Sequence, residues 1–337
     1  MRRVVVTASG VTVVEAETPH PGPGEALIRT TLAGVCGSDV HALHGRHPFV
    51  ALPFHPGHEV VGVVEAVGEG VESFAPGQRV TLEPYLPCWN CKQCLAGREN
   101  ICENLGFFGC GHPQGGLADA FTLDIRRLHA VPDELDDRAA ALIEPLATPV
   151  HAAGLAGGVE GRAVAILGAG TIGLLTLLVA KAGGARRVVV TARSEARRTR
   201  ALEFGADAVV DARAADAVEQ VRAALGESAD VVFDCVAEES TIRQAAGIGA
   251  KGATIVVVGV PPGDVTVPLH LVQDAQLRLQ GSATYLPADF AEATRLLTAG
   301  AVPVDRVVTA VHPITDAAAA FADAESGAHV KVLVAPS

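Results

Sequence analysis

Cys36, His58, Glu59 and Glu144 offer a thiolate, an imidazole and two carboxylates. That is the donor set of a catalytic Zn2+ which keeps one coordination position for water or substrate. Cys36 opens the run Cys36-Gly37-Ser38-Asp39-Val40-His41, which adds a hydroxyl, a carboxylate and a second imidazole within six residues. Singly, each has an ordinary reading: a lone Cys is most often a small core residue, a lone His a hydrogen-bonded one, and Glu59 a surface charge. Their joint occurrence points to metal. A second cluster, Cys88-Trp89-Asn90-Cys91-Lys92-Gln93-Cys94 followed by Cys102, has the spacing C-x2-C-x2-C-x7-C. Four thiolates close a tetrahedral zinc site and leave no position for substrate, so this lobe is expected to be structural. An iron–sulfur cluster uses a similar run, but the usual Cys-Pro ending is missing here. Cys110 and Cys235 fall outside any ligand pattern and read as ordinary buried thiols.

The third chemical feature is Gly168-Ala169-Gly170-Thr171-Ile172-Gly173. Alone, G-x-G-x-x-G is weak, but here an apolar strand (Ala163 to Leu167) precedes it and a helical apolar pattern follows. In that context the first Gly permits the tight turn, the second lets a pyrophosphate approach, and the third lets helix and strand pack closely. The phosphates would rest on the helix N-terminus.

The elements that must carry these groups are legible from periodicity. Gly57 to Val71 reads GHEVVGVVEAVGEGV, a period-2 apolar run headed by His58 and Glu59, as at a strand edge ending in metal ligands. From Met1 to about Tyr85, short β-rich runs separated by Pro/Gly turns predict a small, partly open barrel with almost no helix signals. Its loops would present the metal residues on a rigid scaffold. From about Val150, strand and helix alternate: RRVVVTA, DAVVDA, ADVVFDCVA, ATIVVVGV and LRLQGSA add five candidate strands to Ala163–Leu167, predicting a doubly wound parallel sheet. From about Tyr285 the pattern gives a helix near Ala288 to Ala299, then VDRVVTAVHPI, another helix and a terminal strand KVLVA.

With 337 residues the chain has room for two domains. A 49% hydrophobic and 19% charged composition describes a globular protein, and a net charge of −12 argues against a nucleic-acid partner. No stretch approaches the ~18 uninterrupted apolar residues of a membrane span. The N-terminal MRRVVVTASGVTVVEAE alternates as a strand and lacks a cleavage site, so a cytoplasmic protein is expected. Seven cysteines, four of them bunched, point to metal rather than to a disulfide framework.

The Gly57–Val71 segment, with Cys-Gly-Ser-Asp before it, resembles the zinc-containing medium-chain alcohol/polyol dehydrogenases over essentially the whole chain. The resemblance implies a GroES-like β-rich catalytic domain, residues 1–149 and 285–337, interrupted by a Rossmann domain at 150–284, with the four-Cys zinc lobe at about 86–104. It implies reversible oxidation of a secondary alcohol: zinc lowers the pKa of the hydroxyl so that an alkoxide forms near neutral pH, and hydride passes to nicotinamide. Ser38 would pass the proton outward and His41 would relay it, with His44 and His47 close enough in sequence to be confused with it. Asp39 would orient His58, and Thr148 would touch the nicotinamide. Simple alcohol dehydrogenases often have a second cysteine where this chain has Glu144, whereas polyol and threonine dehydrogenase-like members have an acid. Glu59 and Glu144 both stay open as the third ligand. That acid points to polyols, sugars, cyclitols or amino-alcohols, by analogy. Homodimers or homotetramers are implied as well. Two other classes compete: a zinc-independent enone or quinone reductase of the same fold, and a non-enzymatic nucleotide-binding redox sensor.

The cofactor reading turns on the second strand of the Rossmann domain, where NAD binders place a carboxylate against the ribose 2′-hydroxyl. The family position is Ala192, followed by Arg193 and Ser194, with Arg197 and Arg198 a turn later. Small, neutral and then basic residues suit a 2′-phosphate, so NADP is preferred and NAD is the alternative. The competing reading makes these arginines the solvated face of a helix.

Overall fold

The alternation in Glu59-Val60-Val61-Gly62-Val63-Val64 becomes a nine-residue strand, Glu59–Val67. A computed structural model describes residues 1–336 of the chain. The strand pairs antiparallel with Glu25–Val35 on one side and Arg79–Leu82 on the other. Glu25–Val35 is the hub of a branched seven-stranded sheet, because its first half also pairs with Ala120–Asp124 and its last residues with Lys331–Ala335. Val308–Pro313 and Leu128–Ala130 complete the sheet at its two ends. Val6, Ile28, Val64, Phe108, Phe121 and Phe321 pack into one core beneath it, and burying each such side chain contributes about 1.5–3 kcal/mol.

One helix stands where almost no helix signal was read. Gly37–Leu43 begins directly after Cys36, and Asp39 caps it by accepting the Cys36 backbone N–H at 3.0 Å. The run looked like a loop because its apolar residues are too few to show a 3.6-residue period, yet the cap and the burial of Val40 and Ala42 suffice.

The second unit, Pro145–Tyr285, is distinct from the first, which comprises Met1–Glu144 and the chain from Leu286 onward. Its six parallel strands run in the order Ala208–Asp211, Arg187–Ala192, Ala163–Leu167, Ala229–Asp234, Gly249–Val257, Arg278–Gly281. This is the doubly wound order, in which the first strand lies at the centre and the winding reverses beside it. Ala163–Leu167 is buried along its whole length, as a strand covered on both faces must be. All six strands coincide with runs read from the sequence. Among the described residues, no helix is long and apolar enough to cross a membrane.

Candidate metal centre and dinucleotide turn

Three strand ends meet in the first unit. Gly34 lies opposite Glu59, and Val35 lies opposite Val332, so Cys36, the His58–Glu59 pair and Lys331 all fall just at or beyond the paired ends. The donor atoms of Cys36, His58 and Glu59 lie within 4.8 Å of one another, with both His58 and Glu59 buried. Glu144, also buried, stands in the first turn of the helix Ile143–Leu155 and outside that mutual cluster among the described residues.

Lys331 is the neighbour that sequence reading missed. Its Nζ donates to Glu59 Oε1 at 2.6 Å and Oε2 at 2.7 Å, with the two side chains only 3% and 1% exposed. A third bond runs to the Val35 carbonyl at 3.4 Å. Burial alone would lower the Lys331 pKa, but the fields of Glu59, Cys36 and Glu144 hold it above the ordinary lysine value. Gly34 makes the space: a Cβ there would fall 1.9 Å from Glu59 Oε2. The one available signal was a lysine heading the otherwise apolar run Lys331-Val332-Leu333-Val334.

On the other side of His58, Nδ1 lies 3.8 Å from Asp39 Oδ1 and 3.7 Å from Cys110 Sγ. Burial pushes the Asp39 carboxyl up to about 6 against the pull of His58. Burial lowers His58, yet Cys110, Asp39 and Cys36 outweigh it and raise its pKa well above the usual value. This surplus of thiol and carboxylate around one imidazole suits a cation. A Cys–His–Glu set with a ligand position to spare fits a catalytic Zn2+. Ser38 and His41 stand three residues apart on the helix Gly37–Leu43 and so share a face. His44 is engaged elsewhere, 2.8 Å from Glu325, and His47 stacks edge-on near Phe49.

The four-Cys lobe is preassembled. Sγ–Sγ separations are 3.4 Å for Cys88–Cys102, 3.5 Å for Cys91–Cys94 and 3.8 Å for Cys91–Cys102. Four sulfurs around one Zn2+ at ~2.3 Å stand about 3.8 Å apart, so the lobe fits a structural zinc. Backbone N–H groups of Cys88 and Asn104 point at Cys102 Sγ, at 3.2 and 3.3 Å. Trp89 anchors the lobe to the sheet, with the guanidinium groups of Arg126 and Arg127 each 4.7 Å from its ring. Arg127 in turn pairs with buried Glu83 at 2.7 Å and with Glu99 at 3.3 Å. Of the two thiols read as ordinary, Cys235 sits 3.7 Å from the Thr176 hydroxyl, while Cys110 lies against His58.

In the second unit the glycine turn has the expected form. Gly168 has φ +100°, and a Cβ on Gly173 would fall 2.0 Å from the Gly168 carbonyl oxygen. Gly170 caps the helix Thr171–Ala182, with Thr171 and Ile172 in its first turn, and the direction of its missing Cβ is open for at least 4 Å. Open space before a helix N-terminus fits a pyrophosphate. Gly173→Ala is expected to cost about 1–3 kcal/mol by overpacking and to weaken dinucleotide binding; thermal unfolding with and without NADP measures both.

At the end of the second strand, Ala192 is buried and Arg193 pairs with Glu238 across the mouth of the sheet. Arg198 folds back instead, donating to the carbonyls of Ala192 at 2.9 Å and Arg193 at 3.2 Å and pairing with Asp211 at 3.2 Å. It therefore braces the loop. Ser194 caps the helix Glu195–Glu203, its hydroxyl accepting the Arg197 N–H. Thr148 is half-buried within Ile143–Leu155.

A sheet-end thiolate–imidazole–carboxylate cluster joined in one chain to a dinucleotide-type sheet defines a metal-assisted, nicotinamide-linked dehydrogenase. Residues 22–133 match the family described as alcohol dehydrogenase GroES-like domain, and residues 171–299 match zinc-binding dehydrogenase. Human sorbitol dehydrogenase is 34% identical over 94% of this chain and 90% of its own length. L-galactonate-5-dehydrogenase of Escherichia coli K12 is 33% identical over 91% of this chain and 90% of its own. A zinc-binding dehydrogenase from Sinorhizobium meliloti 1021, solved bound to NADP, superposes with TM-score 0.91 at 34% identity, covering 99% of both chains. The chain belongs to the zinc-containing medium-chain alcohol/polyol dehydrogenases, oxidoreductases that act on CH–OH donors.

Proposed function

We propose that this protein oxidises a secondary alcohol of a polyol, sugar or similarly polyhydroxylated substrate to a ketone, reversibly, with NADP as the preferred hydride acceptor. The supporting observation is the convergence of Cys36, His58 and Glu59 within 4.8 Å. These three residues would hold the catalytic Zn2+, and Glu144 would supply a further carboxylate beside them. When bound, zinc supplies Lewis-acid polarisation that lowers the pKa of the substrate hydroxyl, and nicotinamide supplies the hydride acceptor. Ser38 takes up the proton that the hydroxyl loses, and His41 carries it to solvent. Burial, Arg46 and His44 hold the His41 pKa below its ordinary value, so the imidazole is neutral and able to accept at neutral pH. Asp39 faces the Nδ1 side of His58 at 3.8 Å, where its charge favours one ring orientation, and Thr148 contacts the nicotinamide. The four-Cys lobe holds a structural zinc.

NADP is favoured over NAD because Ala192 brings no carboxylate to repel a 2′-phosphate, and Arg193 can exchange Glu238 for it. Arg193→Ala is expected to lower kcat/KM with NADP by about tenfold or more and to leave NAD turnover nearly unchanged, as the loss of one charge-assisted contact would. Equal effects with both cofactors would remove the phosphate pocket. The activity itself is tested by following nicotinamide reduction over a panel of polyols, sugars and simple secondary alcohols. A folded preparation stripped of catalytic metal that keeps full activity would overturn the reading. The exposed edge strand Arg278–Gly281, with Leu279 outward, supports a homo-oligomer paired edge to edge; a monomeric mass in solution would count against it.

A further inference from the structure

Asp39 Oδ1 is a buried carboxylate oxygen with no hydrogen-bond partner among the described residues, although Oδ2 of the same side chain accepts the Cys36 N–H. An orphaned carboxylate oxygen in a side chain only 1% exposed is costly unless something occupies its lone pairs. It points at His58 Nδ1, 3.8 Å away, and Cys110 Sγ stands 3.7 Å from the same nitrogen. Donor atoms of all three residues lie within 4.8 Å of one another, and all three residues are buried. A tetrahedral ion with metal–ligand distances of ~2.0–2.3 Å spans about 3.3–3.8 Å between ligand atoms, so the two measured edges already approach coordination spacing.

We propose that Asp39, His58 and Cys110 form a second buried site for a thiophilic divalent cation, which shares His58 with the Cys36–Glu59 site and competes with it. The proposal depends on the zinc reading above for the competition alone. A neutral imidazole has one nitrogen lone pair. Committed to an ion beside Asp39 and Cys110, that lone pair is no longer available to an ion held by Cys36 and Glu59. Binding on the Nδ1 side sends the Cys110 thiol proton and the Nδ1 proton to solvent, leaving thiolate, neutral imidazole and carboxylate around the dication, a set with no net charge. The ion would be Zn2+ or another soft divalent metal such as Cd2+, because a thiolate and an imidazole select against Mg2+ and Ca2+.

Zinc content by native mass spectrometry, with circular dichroism to check folding, tests the proposal on the full chain. Wild type is expected to hold about two ions, one in the four-Cys lobe and one on His58. Cys36→Ser is expected still to hold two, the second now on the Nδ1 side, and Cys36→Ser/Cys110→Ser only one. Cys36→Ala, which adds no hydroxyl, must behave as Cys36→Ser does. Asp39→Asn in the Cys36→Ser background must also lower the count to one. Cobalt added to zinc-lobed Cys36→Ser is expected to give a thiolate-to-metal absorption band that Cys110→Ser abolishes. A Cys36→Ser protein holding one ion, or a Cys36→Ser/Cys110→Ser protein holding two, would overturn the site. A wild type that holds only one ion would fail the catalytic-zinc reading, whatever Cys36→Ser holds.

Discussion

Replacing Lys331 with Met is expected to destabilise the first unit by about 3–5 kcal/mol, because it strands the buried Glu59 carboxylate without its counter-charge. Lys331 and Glu59 are almost fully excluded from solvent, and both carboxylate oxygens are committed to the one ammonium. Removing both charges is a different matter. Lys331→Met/Glu59→Gln is expected to recover most of the loss, since a pair of buried charges adds little once neither is left alone. Denaturant midpoints of the two single variants and the double one, in a metal-chelated protein, complete the cycle. A single variant within ~0.5 kcal/mol of wild type would refute the account. The lysine pKa is raised on folding, so the pair stabilises fully below the unfolded value of about 10.4 and the contribution fades as pH climbs through the higher folded value. Measurements near neutrality therefore see all of it. The same pair fixes Glu59 beside Cys36 and His58, so the variant should also bind catalytic zinc more weakly.

His58→Ala should have the largest effect on turnover. Its imidazole is the one donor common to the Cys36–Glu59 cluster and to the Asp39–Cys110 pair. Its loss is expected to lower zinc from about two ions per chain to one and kcat/KM by about a thousandfold, equivalent to ~4 kcal/mol of lost Lewis-acid stabilisation. The four-Cys lobe keeps its ion, because its ligands all come from the short segment Cys88 to Cys102. Unchanged zinc content in a folded His58→Ala protein would show that the ion sits elsewhere, and unchanged activity would show that it does not serve the reaction.

Sequence alone determined the features whose parts lie close together along the chain. The four-Cys lobe spans a short run, so its spacing already restricts the sulfurs to one tetrahedron. The turn from Gly168 to Gly173 needs only a strand before it and a helix after it, and both show as apolar runs. The strand–helix alternation of the second unit was equally plain because its central strands, Ala163–Leu167 and Ala229–Asp234, are buried almost throughout and read as continuous apolar runs. The convergence of Cys36 with His58 was legible as a donor set, though its geometry was not.

Tertiary structure decided what depends on distant pairing. Lys331 reaches Glu59 across 272 residues and Cys110 reaches His58 across 52, and no local pattern links either pair. Glu59 rather than Glu144 joins the tight cluster because Glu25–Val35 pairs with both Glu59–Val67 and Lys331–Ala335 and brings their ends together. Strand register carries this information. It emerges only when the sheet forms, since a side chain's partners are then set by which strands lie side by side, while chain separation sets only the entropy of bringing them there.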